Sequence, residues 1–180
     1  MNFPLHTGRF STLLRTVRLL PATLVVVALS ACNQYQMTLN ETVVHTPPTL
    51  LTDFDTEDPR LKQCLDQIIK DGNFTSFEQV TQLICSHAGL SSLKGIESFQ
   101  GLKQINLENN GLTSLKPLQY LSKIEVLKVN DNLLTQVPEL LNLPRLKEVY
   151  LENNPNLVCQ DLQQLKEISS VSLHLPEQCR

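Results

Sequence analysis

From Val80 to Leu175 one apolar template returns every 22 residues, and no other feature of the chain constrains its fold so tightly. Val80, Leu102, Ile124, Leu146 and Ile168 fall in one column. Three positions on stand Leu83, Ile105, Leu127, Val149 and Val171; two further stand Cys85, Leu107, Val129, Leu151 and Leu173. Asn110, Asn132 and Asn154 follow, then Leu112 and Leu134. A unit this short cannot bury an apolar face by itself, so its copies must stack and share one continuous core. Period-two alternation in the first part of each unit predicts a short strand, stacked in parallel on the next. In the second part apolar residues step by three, as in Leu93, Ile96, Phe99 and again in Leu115, Leu118, Leu121. That step suits a 3₁₀ or extended turn and not a long α-helix.

The composite pattern L-x-x-L-x-L-x-x-N-x-L resembles the leucine-rich repeat. Its 22-residue length is similar to that of bacterial internalins and of eukaryotic phosphatase-regulating leucine-rich-repeat proteins. The resemblance implies an α/β solenoid of about five coils with short parallel strands on its concave face. Asn110, Asn132 and Asn154 lie on a core column, where a buried amide is expected to satisfy backbone groups of its own turn and the next. Ala88 and Pro176 take that column in the first and last copies, as expected of end units.

A stack needs its ends covered. Asp58-Pro59 is a helix start, and Leu61, Cys64, Leu65, Ile68 and Ile69 then recur at helical spacing. Thr75-Ser76-Phe77-Glu78 offers a capping box for a further short turn. Residues 58–79 are therefore expected to form a helical N-terminal cap, 80–157 the repeats, and 158–180 a C-terminal cap with a helix over Asp161 to Ile168 and a last strand over Val171 to Leu175.

The first 31 residues carry a different signal. Arg9, Arg15 and Arg18 precede an apolar stretch, Leu19 to Leu29, which is too short to span a bilayer stably. It ends in Leu29-Ser30-Ala31-Cys32, which resembles the lipobox of bacterial lipoproteins. That resemblance implies cleavage before Cys32, fatty acylation of the new N-terminus and stable membrane anchoring by several chains. Asn33, where an aspartate would favour inner-membrane retention, points to the outer membrane by the same resemblance. Residues 32–57, polar and interrupted by Pro47-Pro48, are expected to be the lipidated cysteine and a flexible tether, part of which could instead pack on the solenoid edge.

Removing residues 1–31 takes three of the 15 Lys+Arg and none of the 18 Asp+Glu, so the net charge moves from −3 to −6. That balance disfavours nucleic acid and direct adhesion to anionic lipid. Of the five cysteines, Cys64 and Cys85 belong to the first edge of the stack and Cys159 and Cys179 to the last. Any pairing other than Cys64–Cys85 and Cys159–Cys179 would have to cross the stack, beyond disulfide reach. Each loop so closed is worth about 3 kcal/mol in the chain-entropy model. A zinc site or free thiols are the alternatives; no C-x-x-C spacing favours them.

No catalytic constellation is present: no G-x-S-x-G, H-E-x-x-H or phosphate loop occurs, and His87 and His174 fall at opposite ends of the stack. Neither a catalytic site, a metal site nor a cofactor is expected. What remains is the outward sheet face, with columns Ile84, Asn106, Lys128, Tyr150, Ser172 and Ser86, Glu108, Asn130, Glu152, His174, flanked by Glu148 and Asp131. Its candidate contact residues are Asn106, Glu108, Lys128, Asn130, Asp131, Glu148, Tyr150 and Glu152, with Tyr150 as anchor. The same residues also suit an ordinary solvated face with pairs such as Lys128 and Glu108. The resemblance implies a membrane-anchored module that binds a protein or peptide. A structural envelope lipoprotein is the alternative and an enzyme a remote one.

Overall fold

A computed structural model describes residues 37–39, 42–45, 50–168 and 170–180. The signal region 1–31, Cys32 and Asn33 lie outside the described residues. The chain divides into two compact units, 1–48 and 49–180. In the first, strands β1 (Met37–Leu39) and β2 (Thr42–His45) pair antiparallel, with Thr38 opposite Val43. The β-branched run Thr42-Val43-Val44 favours this extended pairing. A hairpin therefore stands inside the stretch expected to be a tether.

The second unit is the solenoid. Strands β3 (Gln82–Ile84), β4 (Gln104–Asn106), β5 (Val126–Lys128), β6 (Glu148–Tyr150) and β7 (Ser172–His174) form one parallel sheet in chain order. Leu83, Ile105, Leu127 and Val149 sit side by side and are fully or almost fully buried, as the 22-residue column predicts. The ladder runs on past the strands. Lys103 N donates to Thr81 O at 2.9 Å and Glu125 N to Lys103 O at 2.8 Å, while Leu107 N donates to Lys128 O at 2.8 Å on the other flank. Opposite the sheet, the apolar steps of three become 3₁₀ turns at Ile96–Ser98, Lys116–Tyr120 and Pro138–Asn142. Their i→i+3 bonds, such as Leu118 N to Leu115 O at 2.8 Å, place Leu115, Leu118 and Leu121 together in the core.

The last coil departs from the period. Glu148 pairs with Ser172, Val149 with Leu173 and Tyr150 with His174, a step of 24 residues and not 22. The expected columns shift accordingly: Leu173 replaces Val171 beside Val149, His174 replaces Ser172 beside Tyr150, and Pro176 leaves the asparagine column. The extra length is taken up by α2 (Gln160–Ile168), which replaces a 3₁₀ turn in this coil and gains only about 1.5 Å per residue against about 2.0 Å. Leu162 and Leu165 of α2 are buried. A slip of two leaves every side chain on its own face, so alternation alone gives no sign of it.

At the first edge, helix α1 (Pro59–Gly72) buries Leu61, Leu65 and Ile69, one turn apart, over the opening coil. Asp58 caps its N-terminus by accepting from Arg60 N at 2.9 Å, and Asn73, with φ of 50°, caps its C-terminus. In the next short turn the reciprocal bonds come from Gln79 and not from Glu78. Gln79 Oε1 accepts from Thr75 N at 2.7 Å and from Ser76 N at 3.2 Å.

Residues 50–57 lie along this edge, the alternative left open for part of the expected tether. Leu51 N donates to Phe74 O and Glu57 N to Lys94 O. Between them Phe54 meets Phe99 and Phe77 edge to face, at 5.2 and 6.5 Å between centroids, and Lys62 Nζ sits 4.0 Å over its ring. Three rings and a cation bury apolar area that a tether would leave in water. Gly95 shows how close the strap lies: it holds φ of 103°, and a Cβ there would strike the backbone of Asp55 and Thr56.

Both ends are closed covalently. Cys64 joins Cys85 with Cα atoms 6.1 Å apart, and Cys159 joins Cys179 at 5.4 Å. Non-reducing peptide mapping is expected to recover these two linked pairs; free thiols at all four positions would contradict the closed caps.

Candidate functional site

Each strand sends its central residue inward and the two beside it outward. The concave face is thus built from Gln82 and Ile84, Gln104 and Asn106, Val126 and Lys128, Glu148 and Tyr150, and Ser172 and His174. Its two halves differ. Toward the first edge a shallow depression of about 230 Å³ is lined by Gln82, Ile84, Gln104, Asn106, Val126 and Lys128, and Ile84 is 55% exposed at its rim. Toward the last edge lies a cluster of aromatic and charged groups.

That cluster follows from the 24-residue step. Because Tyr150 pairs with His174 across β6 and β7, their rings stack at 4.0 Å with planes 3° apart. One oxygen of Glu148 serves both: Tyr150 donates its hydroxyl at 2.8 Å, and His174 Nε2 lies 3.0 Å away. A carboxylate only accepts, so Nε2 carries the proton in this arrangement. His174 Nδ1 stands 3.9 Å from Glu152, and Lys128 Nζ lies 4.9 Å over the Tyr150 ring. The hydrogen bonds from Tyr150 and then His174 hold the Glu148 carboxyl below the ordinary carboxylate range. The bond to Glu148 likewise raises the Tyr150 phenol above its usual value. Glu152 keeps one buried oxygen with no hydrogen-bond partner.

The other candidate residues serve the loops beside the sheet. Asn106 accepts from Glu108 N at 3.0 Å. Asp131 accepts from Asn130 at 2.7 Å and from Asn153 at 2.8 Å, one on each oxygen. Asp131 also belongs to a row with positive φ, namely His87 (58°), Asn109 (53°), Asp131 (56°) and Asn153 (55°). All four are residue types that tolerate the left-handed region, and their 22-residue spacing was the signal for it. The asparagine column behind them faces the core. Asn132 Oδ1 accepts from Leu112 N at 3.0 Å, and its amide donates to Leu107 O in the previous coil and Val129 O in its own. Asn110 and Asn154 repeat the pattern one coil to either side.

Among the described residues no group of three His, Cys, Asp or Glu side chains could hold a metal ion. The stacked pair and the carboxylates around it form an arrangement that can recognise and orient a group.

Parallel strands on one side, 3₁₀ turns on the other and an asparagine ladder between them define a leucine-rich-repeat solenoid. The chain is similar to a solved internalin from Listeria monocytogenes at 27% identity and a TM-score of 0.60, over 68% of this chain and 37% of that one. It is also similar to internalin C2 from the same species at 23% identity and a TM-score of 0.57, over 66% of this chain and 54% of that one. It therefore spans well under two thirds of either structure's length. No family model matches the chain, and no curated protein matches it in sequence.

Proposed function

We propose that this chain is a lipid-anchored protein-binding module of the bacterial cell envelope, which presents its concave sheet face to a protein or peptide. The observation that carries the reading is a division of labour in the sheet. The sheet's inward residues face the core, so the outward row that ends in the stacked Tyr150–His174 pair is spare for recognition. Aromatic side chains that are half-buried and amphipathic make effective anchors. Five strands at about 4.8 Å spacing offer a face some 20 Å wide, suited to a peptide or one small domain. The likeness to internalins supports a binding role and no catalytic one. For the anchor, the support is Leu29-Ser30-Ala31-Cys32, with Cys32 acylated, no other cofactor, and Asn33 favouring the outer membrane.

Crosslinking the anchored protein in its own envelope identifies the partner, and a triple variant then tests the face. Tyr150→Ala with Glu108→Lys and Glu152→Lys is expected to weaken capture by at least about tenfold. Asp131 is left intact because its bonds hold the loops. Unchanged capture by a folded triple variant would remove the concave face from the binding reading. Cys32→Ser is expected to stay unprocessed or be released, and normal membrane retention would rule out the lipid.

A structural envelope role is the second reading, favoured by one observation. Several polar groups of the strip already satisfy each other, as Tyr150, His174 and Glu148 do.

A further inference from the structure

On the side away from the sheet, a groove of about 520 Å³ runs between the 3₁₀ turns Ile96–Ser98 and Lys116–Tyr120. One wall is held rigidly. Ser92 donates to Glu57 at 2.7 Å, Lys94 lies 3.9 Å from the same carboxylate, and Glu97 accepts from Gly95 N at 2.6 Å. The other wall is free: the side chains of Thr113, Gln119 and Tyr120 make no hydrogen bond to any described residue. Tyr120 is 59% exposed, whereas Leu118 and Leu121 on either side of it are wholly buried. The repeat does not ask for an aromatic there, since Ser98 and Asn142 fill the equivalent position one coil before and after. Packing therefore gives no reason for Tyr120.

The chemistry of the lining narrows what could use it. Two carboxylates, Glu57 and Glu97, are balanced by two ammonium groups, Lys94 and Lys116, so the groove favours neither a phosphate nor a cationic segment. It offers no deep apolar pocket for an aliphatic side chain. It does offer one exposed aromatic side chain, Tyr120, among the hydroxyl, amide and carboxylate groups of Ser92, Thr113, Gln119 and Glu97. A pyranose ring is complementary to that set: its C–H face stacks on a phenol ring, and its equatorial hydroxyls both donate and accept at the edge. We propose that this groove is a binding site for a neutral saccharide, with Tyr120 as the stacking platform and Ser92, Thr113, Gln119 and Glu97 as its polar fence. The site is separate from the concave face and stands or falls independently of it.

The full chain in detergent is probed on an array of neutral, acidic and basic glycans. A neutral trisaccharide taken from the array is then titrated against the isotopically labelled chain. The expected result is capture of neutral glycans, with saturable amide shifts confined to residues 91–97 and 113–120 and none on β3–β7. Tyr120→Ala should weaken binding about five- to tenfold and Tyr120→Trp should retain it, both with unchanged melting temperature because the side chain is exposed. Failure to capture any neutral glycan would overturn the proposal. So would equal affinity in Tyr120→Ala, or a neutral peptide that shifts the same amides as strongly.

Discussion

Asn132→Ala is expected to lower the unfolding free energy by about 3–5 kcal/mol, more than most single changes in a chain of this size. The side chain is 3% exposed and ties two coils together. Its loss leaves Leu112 N without its acceptor beyond the reach of water, and takes from Leu107 O and Val129 O one of the two amide donors each has, the other coming from Asn110 and Asn154. A cavity adds to the cost. Two further substitutions separate these causes. Asn132→Leu fills the space but restores no hydrogen bond, so it should recover only the cavity part. Asn132→Asp keeps the shape yet aims a carboxylate at carbonyl oxygens, and should be at least as damaging as alanine. Urea midpoints at constant slope measure all three, and an alanine variant within about 1 kcal/mol of the parent would refute the ladder's role. Asn110, in the second coil, is itself partly exposed, so water can enter the space it vacates and its replacement should cost less.

The second large effect is expected at Asp58, which is 4% exposed. It caps α1 through Arg60 N and also reaches into the first coil, where its other oxygen accepts from Ser91 N at 2.7 Å and from the Ser91 hydroxyl at 3.0 Å. Asp58→Ala removes a helix cap and orphans the Ser91 donors together, for about 2–4 kcal/mol. The same site sets a pH dependence. Burial pushes the carboxyl up, but the hydrogen bonds from Ser91 and Arg60 together outweigh it and hold the group below its ordinary value. A carboxyl depressed in the fold contributes stability that is complete above its unfolded value of about 3.9 and is lost as pH falls through the lower folded value. Stability should therefore decline from about pH 4 downward, and Asp58→Asn should flatten that decline. Equal acid slopes in parent and variant would place the titration elsewhere.

The solenoid was legible because its determinants are local and repeated. Leu83, Ile105, Leu127 and Val149 announce their column by spacing, the apolar steps of three foretell the 3₁₀ turns, and the cysteines pair by their place at the two edges. Phe54 was not legible. It is a single aromatic in a polar run with no periodicity around it, and only the rings of Phe77 and Phe99 at the open edge give it a place. The row His87, Asn109, Asp131, Asn153 did carry a signal, since each type tolerates positive φ. Outward position on the sheet face explained the same residues equally well and concealed it.

The 22-residue period, read from the chain alone, carries the coil count, the inward leucines, the buried asparagines and the covalent closure of both ends. Each of these depends on side-chain type at fixed spacing. The stacking of His174 on Tyr150 depends instead on how many residues the last coil needs to return to the sheet. An α-helix in that coil takes two residues more than the template, and because two is one full strand period, every apolar residue stays inward while its partner changes. Spacing and polarity are blind to such a shift. The packing of α2 against the coil before it sets the length of the return, and with it the arrangement of the proposed binding face.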